Sequence, residues 1–294
     1  MNKNIICIGG ANIDFKLKSK NPFLLHTSNP VYSSNSFGGV ARNVAHNLAN
    51  ITSNIHLQCV VGDDVYGRDL LAHMQSLGVN TQHSLILEGK RTSQYHAILN
   101  EQGELFLGLA DMDIYNEISS TFITSSWDLW PPKSLVFLDT NLPSILIDLI
   151  LKKANLLDVF VCIDLVSVEK AKKIPHRLDS VFLLKSDLQE ARALTMMNIQ
   201  SVSDCMLAGL QLKERGAQNI VISLGKAGYV LINDTQQIHV LAEEVSEVID
   251  VSGAGDAFIA GILYGLQHDK EVFEACRIGA KAAAKTIQSI STVV

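Results

Sequence analysis

The chain has 294 residues, of which 47% are hydrophobic and 18% charged, with a formal net charge of −6. A chain this long buries enough surface to need no disulfide or metal staple. Its apolar content excludes intrinsic disorder, and its acidic balance argues against nonspecific binding to nucleic acid or anionic membrane. Mean hydropathy is +0.20, yet the longest apolar runs, such as Leu135 to Leu138 and Asn219 to Leu224, are strand length. None approaches the ~20 residues of a bilayer-crossing helix. The start, Met1-Asn2-Lys3-Asn4-Ile5, enters a strand-like run without the apolar stretch of a signal peptide. The five cysteines are scattered and form no CxxC pair. They read as reduced, buried thiols of a cytoplasmic protein, not as zinc ligands.

In chain order, Asn4 to Gly10 reads as a buried strand. Gly39 to Ile51 has helical spacing at Val40, Val44, Ala45 and Leu48. Ile55 to Gly62 is strand-like, and Val65 to Leu77 is helical, with Gly78 as its C-cap. Ser134 to Asp139, Asp158 to Asp164, Ser180 to Lys185 and Asn219 to Gly225 read as further short buried strands. Helical patterns lie between them at about Ser144 to Ala154, Leu188 to Met197 and Ser203 to Arg215. Two more close the chain, about Gly253 to Gln267 and Val272 to Ile290. Apolar strands alternating with helices predict an α/β fold, a mostly parallel sheet covered on both faces. Ligands of such sheets bind beyond the carboxyl ends of the strands.

Two stretches break this rhythm. Asp14 to Phe37 is polar and helix-poor. Thr92 to Met112 alternates apolar and polar residues around a turn at Asn100-Glu101-Gln102-Gly103, a hairpin pattern. Length admits one domain or two. With no linker, repeat or low-complexity tract, the expectation is one domain over 1–294 with a β appendage.

The strongest chemical signal is Asp250-Val251-Ser252-Gly253-Ala254-Gly255-Asp256-Ala257-Phe258. Small residues ahead of a helix let a ligand approach the backbone, and the first helical N–H groups are free to hold an anion. Asp256 there has two readings. A carboxylate repels phosphate but accepts the proton of an attacking hydroxyl; equally, it complements the helix dipole.

That segment resembles the C-terminal signature of the ribokinase-like (PfkB) carbohydrate kinases, with Val251 in place of the usual Thr. Four other segments resemble family motifs in the expected order. They are Gly9-Gly10-Ala11-Asn12-Ile13-Asp14, Phe37-Gly38-Gly39-Val40-Ala41-Arg42-Asn43, Val61-Gly62-Asp63-Asp64-Val65-Tyr66-Gly67 and Ser223-Leu224-Gly225-Lys226-Ala227-Gly228. The resemblance implies a three-layer α/β/α kinase with a small β-sheet lid formed by segments about 12–37 and 91–112. It implies Asp256 as catalytic base and the amides of Gly253, Ala254 and Gly255 as an anion hole for the transferred phosphoryl group. Asn12, Asp14, Gly38, Gly39 and Asn43 would bind the acceptor, since Asp and Asn suit vicinal hydroxyls. Ser223, Gly225 and Gly228 would bind ATP. Backbone carbonyls at Asp250 and Ser252 would face a monovalent cation such as K⁺.

The family commonly carries N-x-x-E, but here the stretch is Asp187-Leu188-Gln189-Glu190. Both carboxylates suit a Mg²⁺–water shell. The same pair also suits a capping box at a helix start, and the two readings are compatible. The stretch Thr92-Ser93-Gln94-Tyr95, the return ending Asp111-Met112, and Asp164-Leu165-Val166-Ser167-Val168-Glu169-Lys170 are similar to bacterial pseudouridine kinases. That subgroup implies phosphorylation of the 5′-hydroxyl of pseudouridine, with Ser93, Tyr95 and Asp111 near ribose or base. Tyr95 is equally readable as lid core, and Lys170 reads as a solvated helix charge ahead of a ligand. The alternatives are a kinase of ribose, uridine or adenosine, or a nonenzymatic nucleoside-binding member of the fold. A dinucleotide enzyme is disfavoured because Ile13 and Asp14 break the glycine fingerprint after Gly9-Gly10. The alternating lid strands also suggest a homodimer joined through the lid.

Overall fold

In a computed structural model, residues 3–289 and Val293 are described. Met1, Asn2 and Ile290, which entered the readings above, lie outside them. The chain order is β1 (Ile5–Gly9), β2 (Asn12–Ser19), β3 (Val31–Gly38), α1 (Val40–Ala49), β4 (Ile55–Gly62), α2 (Val65–Ser76), β5 (Leu85–Leu87), β6 (Gln94–Leu99) and β7 (Leu105–Asp111). Then come α3 (Ser120–Thr124), β8 (Leu135–Asp139), α4 (Ser144–Ala154), β9 (Phe160–Asp164), α5 (Val168–Ala171), β10 (Val181–Asp187), α6 (Leu188–Thr195) and α7 (Val202–Glu214). The chain finishes with β11 (Asn219–Ser223), β12 (Tyr229–Ile232), β13 (Gln237–Val240), α8 (Ala254–Gln267) and α9 (Val272–Thr286).

Nine strands form one sheet in the order β13-β12-β11-β10-β9-β8-β1-β4-β5. Pairing is parallel from β11 through β5, and at one edge the β11–β12 and β12–β13 pairings are antiparallel, so β12 alone is reversed. Central strands are apolar on both sides because both are covered. In β1, Ile6 and Ile8 join the core under α3 to α7, while Ile5 and Cys7 join the core under α1, α2, α8 and α9. All four are fully buried, and each large aliphatic side chain removed from water contributes about 1.5–3 kcal/mol. This three-layer packing accounts for the high hydropathy. Among the described residues no helix is long and apolar enough to cross a membrane.

The second sheet has four strands in the order β3-β2-β6-β7. β2 pairs antiparallel with β3 and parallel with β6, and β6 pairs antiparallel with β7. The polar stretch Asp14 to Phe37 therefore holds strands, not loop alone. Six consecutive residues of β3, Tyr32 to Phe37, are exposed or half-buried, so no apolar alternation marks it. The β12–β13 hairpin is also absent from the sequence reading, which ended its last strand at Gly225.

Candidate active site

The carboxyl ends of β1 and β8 meet the start of α1 at one carboxylate. Asp139, fully buried, accepts hydrogen bonds from the N–H groups of Gly10 (2.8 Å), Ala41 (2.9 Å) and Asn141 (2.8 Å). Gly39 has φ +95°, and a Cβ on it would fall 2.4 Å from the Gly10 carbonyl oxygen, so this approach tolerates only glycine. A Cβ on Gly38 would lie 2.2 Å from the Asp14 carboxylate. The two glycines thus bring β3 down against β2, where Asn12 Nδ2 donates to Asp14 Oδ1 at 2.6 Å.

From α1, Asn43 Nδ2 donates to Asp256 Oδ2 at 2.6 Å, across 213 residues of sequence. Asn43 Oδ1 is buried and has no hydrogen-bond partner. An acceptor held dry and unpaired is costly in a native fold, and such an atom is a place for an incoming donor. Asp256 lies in the first turn of α8, whose N-cap, Gly253, has a left-handed φ of 77°. Asp256 is half-buried, and burial pushes its pKa up to about 7. Asp164 adds to that rise, while Asn43, Lys185 and Arg42 restrain it.

Three first-turn amides lie at Gly253, Ala254 and Gly255. The Ala254 N–H turns back to the Val251 carbonyl at 3.3 Å, so in this conformation it is engaged. Gly255 stands beside a residue the sequence reading missed. Lys185 Nζ lies 3.2 Å from where a Gly255 Cβ would be and donates to Asp164 Oδ2 at 2.8 Å. Burial works against the Lys185 ammonium, but Asp164, with Glu190 and Asp256 beyond it, holds its pKa above the ordinary lysine value. A buried cation beside helix N-terminal amides makes a seat for a phosphoryl group. The available signal was a lysine closing an apolar strand run, Val181 to Leu184.

Arg42 was also missed. It is buried, and its guanidinium binds the carbonyls of Phe37 and Gly38. Burial lowers its pKa to about 10, against the pull of Asp256 and Asp14. Asp14 is itself raised by burial, opposed by Asn12 and Arg42.

On the nucleotide side, Asp187 of β10 pairs in register with Ser223 of β11. Ser223 Oγ donates to the Ser186 carbonyl at 3.2 Å. Gly225 (φ +58°) has open space where a Cβ would be, whereas a Cβ on Gly228 would meet the Val240 carbonyl. Asp187 and Glu190 form a reciprocal capping box on α6, with bonds of 2.7 and 2.8 Å. Burial, then the charge of Asp164, pushes Glu190 up to about 7. These hard oxygens fit a Mg²⁺ shell held through water and phosphate, the usual manner of that ion. Asp250 caps its own turn, accepting from the Ser252 N–H at 2.8 Å, and sits 3.6 Å from Lys16 of β2.

The small-sheet candidates divide. Asp14 and Tyr95 are register partners, so they share a face. Asp111 pairs with Gln94, one residue out of step, so strand alternation puts it on the opposite face. It is exposed there, and the structure does not bring it to Asp14. Ser93 is buried and its hydroxyl donates to the Ala11 carbonyl at 2.8 Å. Lys170 corrects an expectation. It is not a solvated charge: Nζ donates to Asn141 Oδ1 at 2.5 Å, and burial lowers its pKa.

The family model for pfkB family carbohydrate kinases matches residues 2–294. The chain is 31% identical over 280 residues to the uncharacterized sugar kinase YeiI of Escherichia coli strain K12, covering 95% of this chain and 76% of that one. It is also 31% identical over 258 residues to the pseudouridine kinase of the same organism, covering 88% and 82%. Among solved structures, a carbohydrate kinase from Agrobacterium tumefaciens superposes with a TM-score of 0.84 at 28% identity, covering 99% and 92%. The ribokinase of Thermotoga maritima, at 20% identity, shares the fold with a TM-score of 0.85, covering 99% and 94%. A ribokinase-like three-layer fold, a whole-chain family match and kinase relatives thus agree with the Asp256 constellation, and the chain belongs to the pfkB family of carbohydrate kinases, phosphotransferases acting on an alcohol group of a sugar or nucleoside.

Proposed function

We propose that this kinase transfers the γ-phosphate of ATP to the 5′-hydroxyl of pseudouridine, giving pseudouridine 5′-phosphate and ADP. The observation that carries the chemistry is the buried, unpartnered Asn43 Oδ1 beside Asp256. A second hydroxyl of the acceptor donates to such an oxygen, which holds the reacting hydroxyl where the neighbouring carboxylate takes its proton. The choice of pseudouridine rests on the kinase of that name among the relatives and on the TSxY and Asp111-Met112 segments.

Asn12 and Asp14 hold the ribose hydroxyls, and Gly38 and Gly39 set the backbone around them. Asn43 Nδ2 fixes one oxygen of Asp256, leaving the other to receive the 5′-hydroxyl proton as the oxygen attacks. The helix start at Gly253 to Gly255 and the Lys185 ammonium meet the negative charge of the phosphoryl group in flight. Ser223, Gly225 and Gly228 shape the nucleotide side. Mg²⁺, when bound, neutralises phosphate charge, and Glu190 and Asp187 would hold it through water. The carbonyls at Asp250 and Ser252 are the proposed seat of a monovalent cation. Tyr95, on the Asp14 face of the lid, is the base-side candidate; Ser93 supports the lid from beneath. We place the enzyme in the cytoplasm, in keeping with five buried free cysteines.

A homodimer through the lid is part of this reading. β7 is an edge strand whose Leu105, Phe106, Leu107 and Leu109 are exposed by 59, 61, 47 and 49%. A second lid would cover that edge. A monomeric mass by light scattering at micromolar concentration would contradict it.

The acceptor is tested with ATP and a panel of pseudouridine, uridine, adenosine, ribose and fructose 6-phosphate. Pseudouridine should give the highest kcat/KM. Ribose as the best acceptor would overturn the lid argument while leaving the kinase assignment intact.

A further inference from the structure

The lid joins the core by four chain crossings, and three of them meet at one phenol. The first runs from β1 into β2 through Gly10 and Ala11. The second enters β6 through Thr92 and Ser93. The third leaves β7 into a short 3₁₀ turn, Asp113–Glu117, that carries Tyr115. Tyr115 is 4% exposed. The Ala11 N–H donates to its oxygen at 2.9 Å, and that oxygen lies 3.0 Å from the Ala11 carbonyl and 3.1 Å from Ser93 Oγ. Ser93 Oγ donates to the same carbonyl at 2.8 Å, and the Ser93 carbonyl accepts from the Ile13 N–H at 3.0 Å. Both hydroxyls and both polar backbone groups of Ala11 are satisfied within this buried knot. Asp64 fastens the second crossing from the core side. It takes the Thr92 N–H (2.8 Å) and hydroxyl (2.7 Å) while capping α2. The fourth crossing packs directly against the first, since a Cβ on Gly39 would lie 2.6 Å from Ala11 Cα.

We propose that Tyr115 is the hinge pin of the lid, a positioning residue whose hydroxyl locks Ala11 and Ser93 together. It thereby fixes the start of β2, where Asn12 and Asp14 stand against Gly38 beside the first turn of α1. The proposal rests on reading the small sheet as a lid over the acceptor site. Ala11 is the residue between the Gly10 turn and Asn12, so a loosened knot displaces the first acceptor-binding side chain directly. The ring packs in the core of the large sheet, and Tyr115→Phe keeps that packing while stranding the Ala11 N–H.

The test is amide hydrogen exchange on the full-length enzyme, wild type against Tyr115→Phe, with acceptor KM as the second readout. Exchange in β2 and β6 should accelerate by about 10-fold or more, while β8, β9 and β10 keep wild-type protection. Acceptor KM should rise by about 10-fold with ATP KM within about twofold. Unchanged lid exchange, or equal acceleration of lid and core, would overturn the proposal. The exchange readout needs no acceptor, so it decides the hinge even if pseudouridine is the wrong substrate; KM is measured with whichever acceptor the panel ranks first.

Discussion

Replacing Asp256 with Asn should destroy catalysis and stabilise the fold, and the second effect can be worked out from the first. Asp256 has its pKa raised from 3.8 to about 7 by burial, with Asp164 adding to the rise. A raised carboxylate pKa means the folded state resists ionisation more than the unfolded state does. Below about pH 3 both states are protonated and nothing is lost; stability then falls as pH rises through 3.8 toward 7. A shift of about three units corresponds to roughly 4 kcal/mol at pH 8 and less than half of that at pH 5. The partial exposure of Asp256 reduces this, because water screens part of the charge. Asn removes the charge, and its side-chain oxygen still accepts from Asn43 Nδ2. Asp256→Asn should therefore gain about 1–3 kcal/mol at pH 8, read as a rise of roughly 2–6 °C in Tm. The gain should shrink at pH 5 and vanish below about pH 3. Turnover should fall by about 10²–10⁴-fold, the usual share of a general base, while acceptor binding by calorimetry persists. A Tm at pH 8 equal to or below wild type, or turnover within tenfold of wild type, would refute the reasoning.

Asn43→Ala removes the orphan oxygen and the donor to Asp256; acceptor KM should rise by about 10–100-fold, and the acid limb of the kcat/KM profile should move to higher pH because Asn43 holds the Asp256 pKa down. Lys185→Met strands Asp164, 3% exposed, and should cost about 3–5 kcal/mol in urea unfolding, much of it recovered by adding Asp164→Asn. Glu190→Gln preserves the capping box and removes a carboxylate whose pKa burial raises from 4.5 to about 7, so stability should be nearly unchanged below about pH 4 and rise by about 1–3 kcal/mol at pH 8; the Mg²⁺ needed for half-maximal rate should rise, and an unchanged Mg²⁺ profile would leave Glu190 with the capping role alone.

Features that depend on local backbone were legible in the sequence. Gly38 and Gly39 mark a contact no Cβ permits, and Gly253 to Asp256 mark a helix start, because glycine placement and helix onset are encoded within a few residues. Features that depend on neighbouring strands were not. Lys185 and Asp164 are 21 residues apart and meet only because β9 and β10 are adjacent. Asp139 reads as the end of an apolar strand, yet it organises three backbone donors from separate segments. Tyr115 and Ser93 join only once the lid is assembled. β3 was reachable only through the family resemblance, as part of the 12–37 lid segment, because it is solvated along most of its length and burial never imposed an alternation on its sequence. Asp111 shows the converse hazard: a motif match is blind to strand parity, and a one-residue offset in pairing turned the side chain to the other face.

The central claim is that Asp256 directs the γ-phosphate of ATP onto a primary nucleoside hydroxyl. The most direct measurement is phosphorus–proton NMR of the product formed from pseudouridine and ATP by the wild-type enzyme. The account predicts one phosphomonoester coupled to the two 5′-methylene protons, formed in step with ADP and absent with Asp256→Asn. A phosphate coupled to a 2′- or 3′-proton, or ADP release with inorganic phosphate alone, would contradict it.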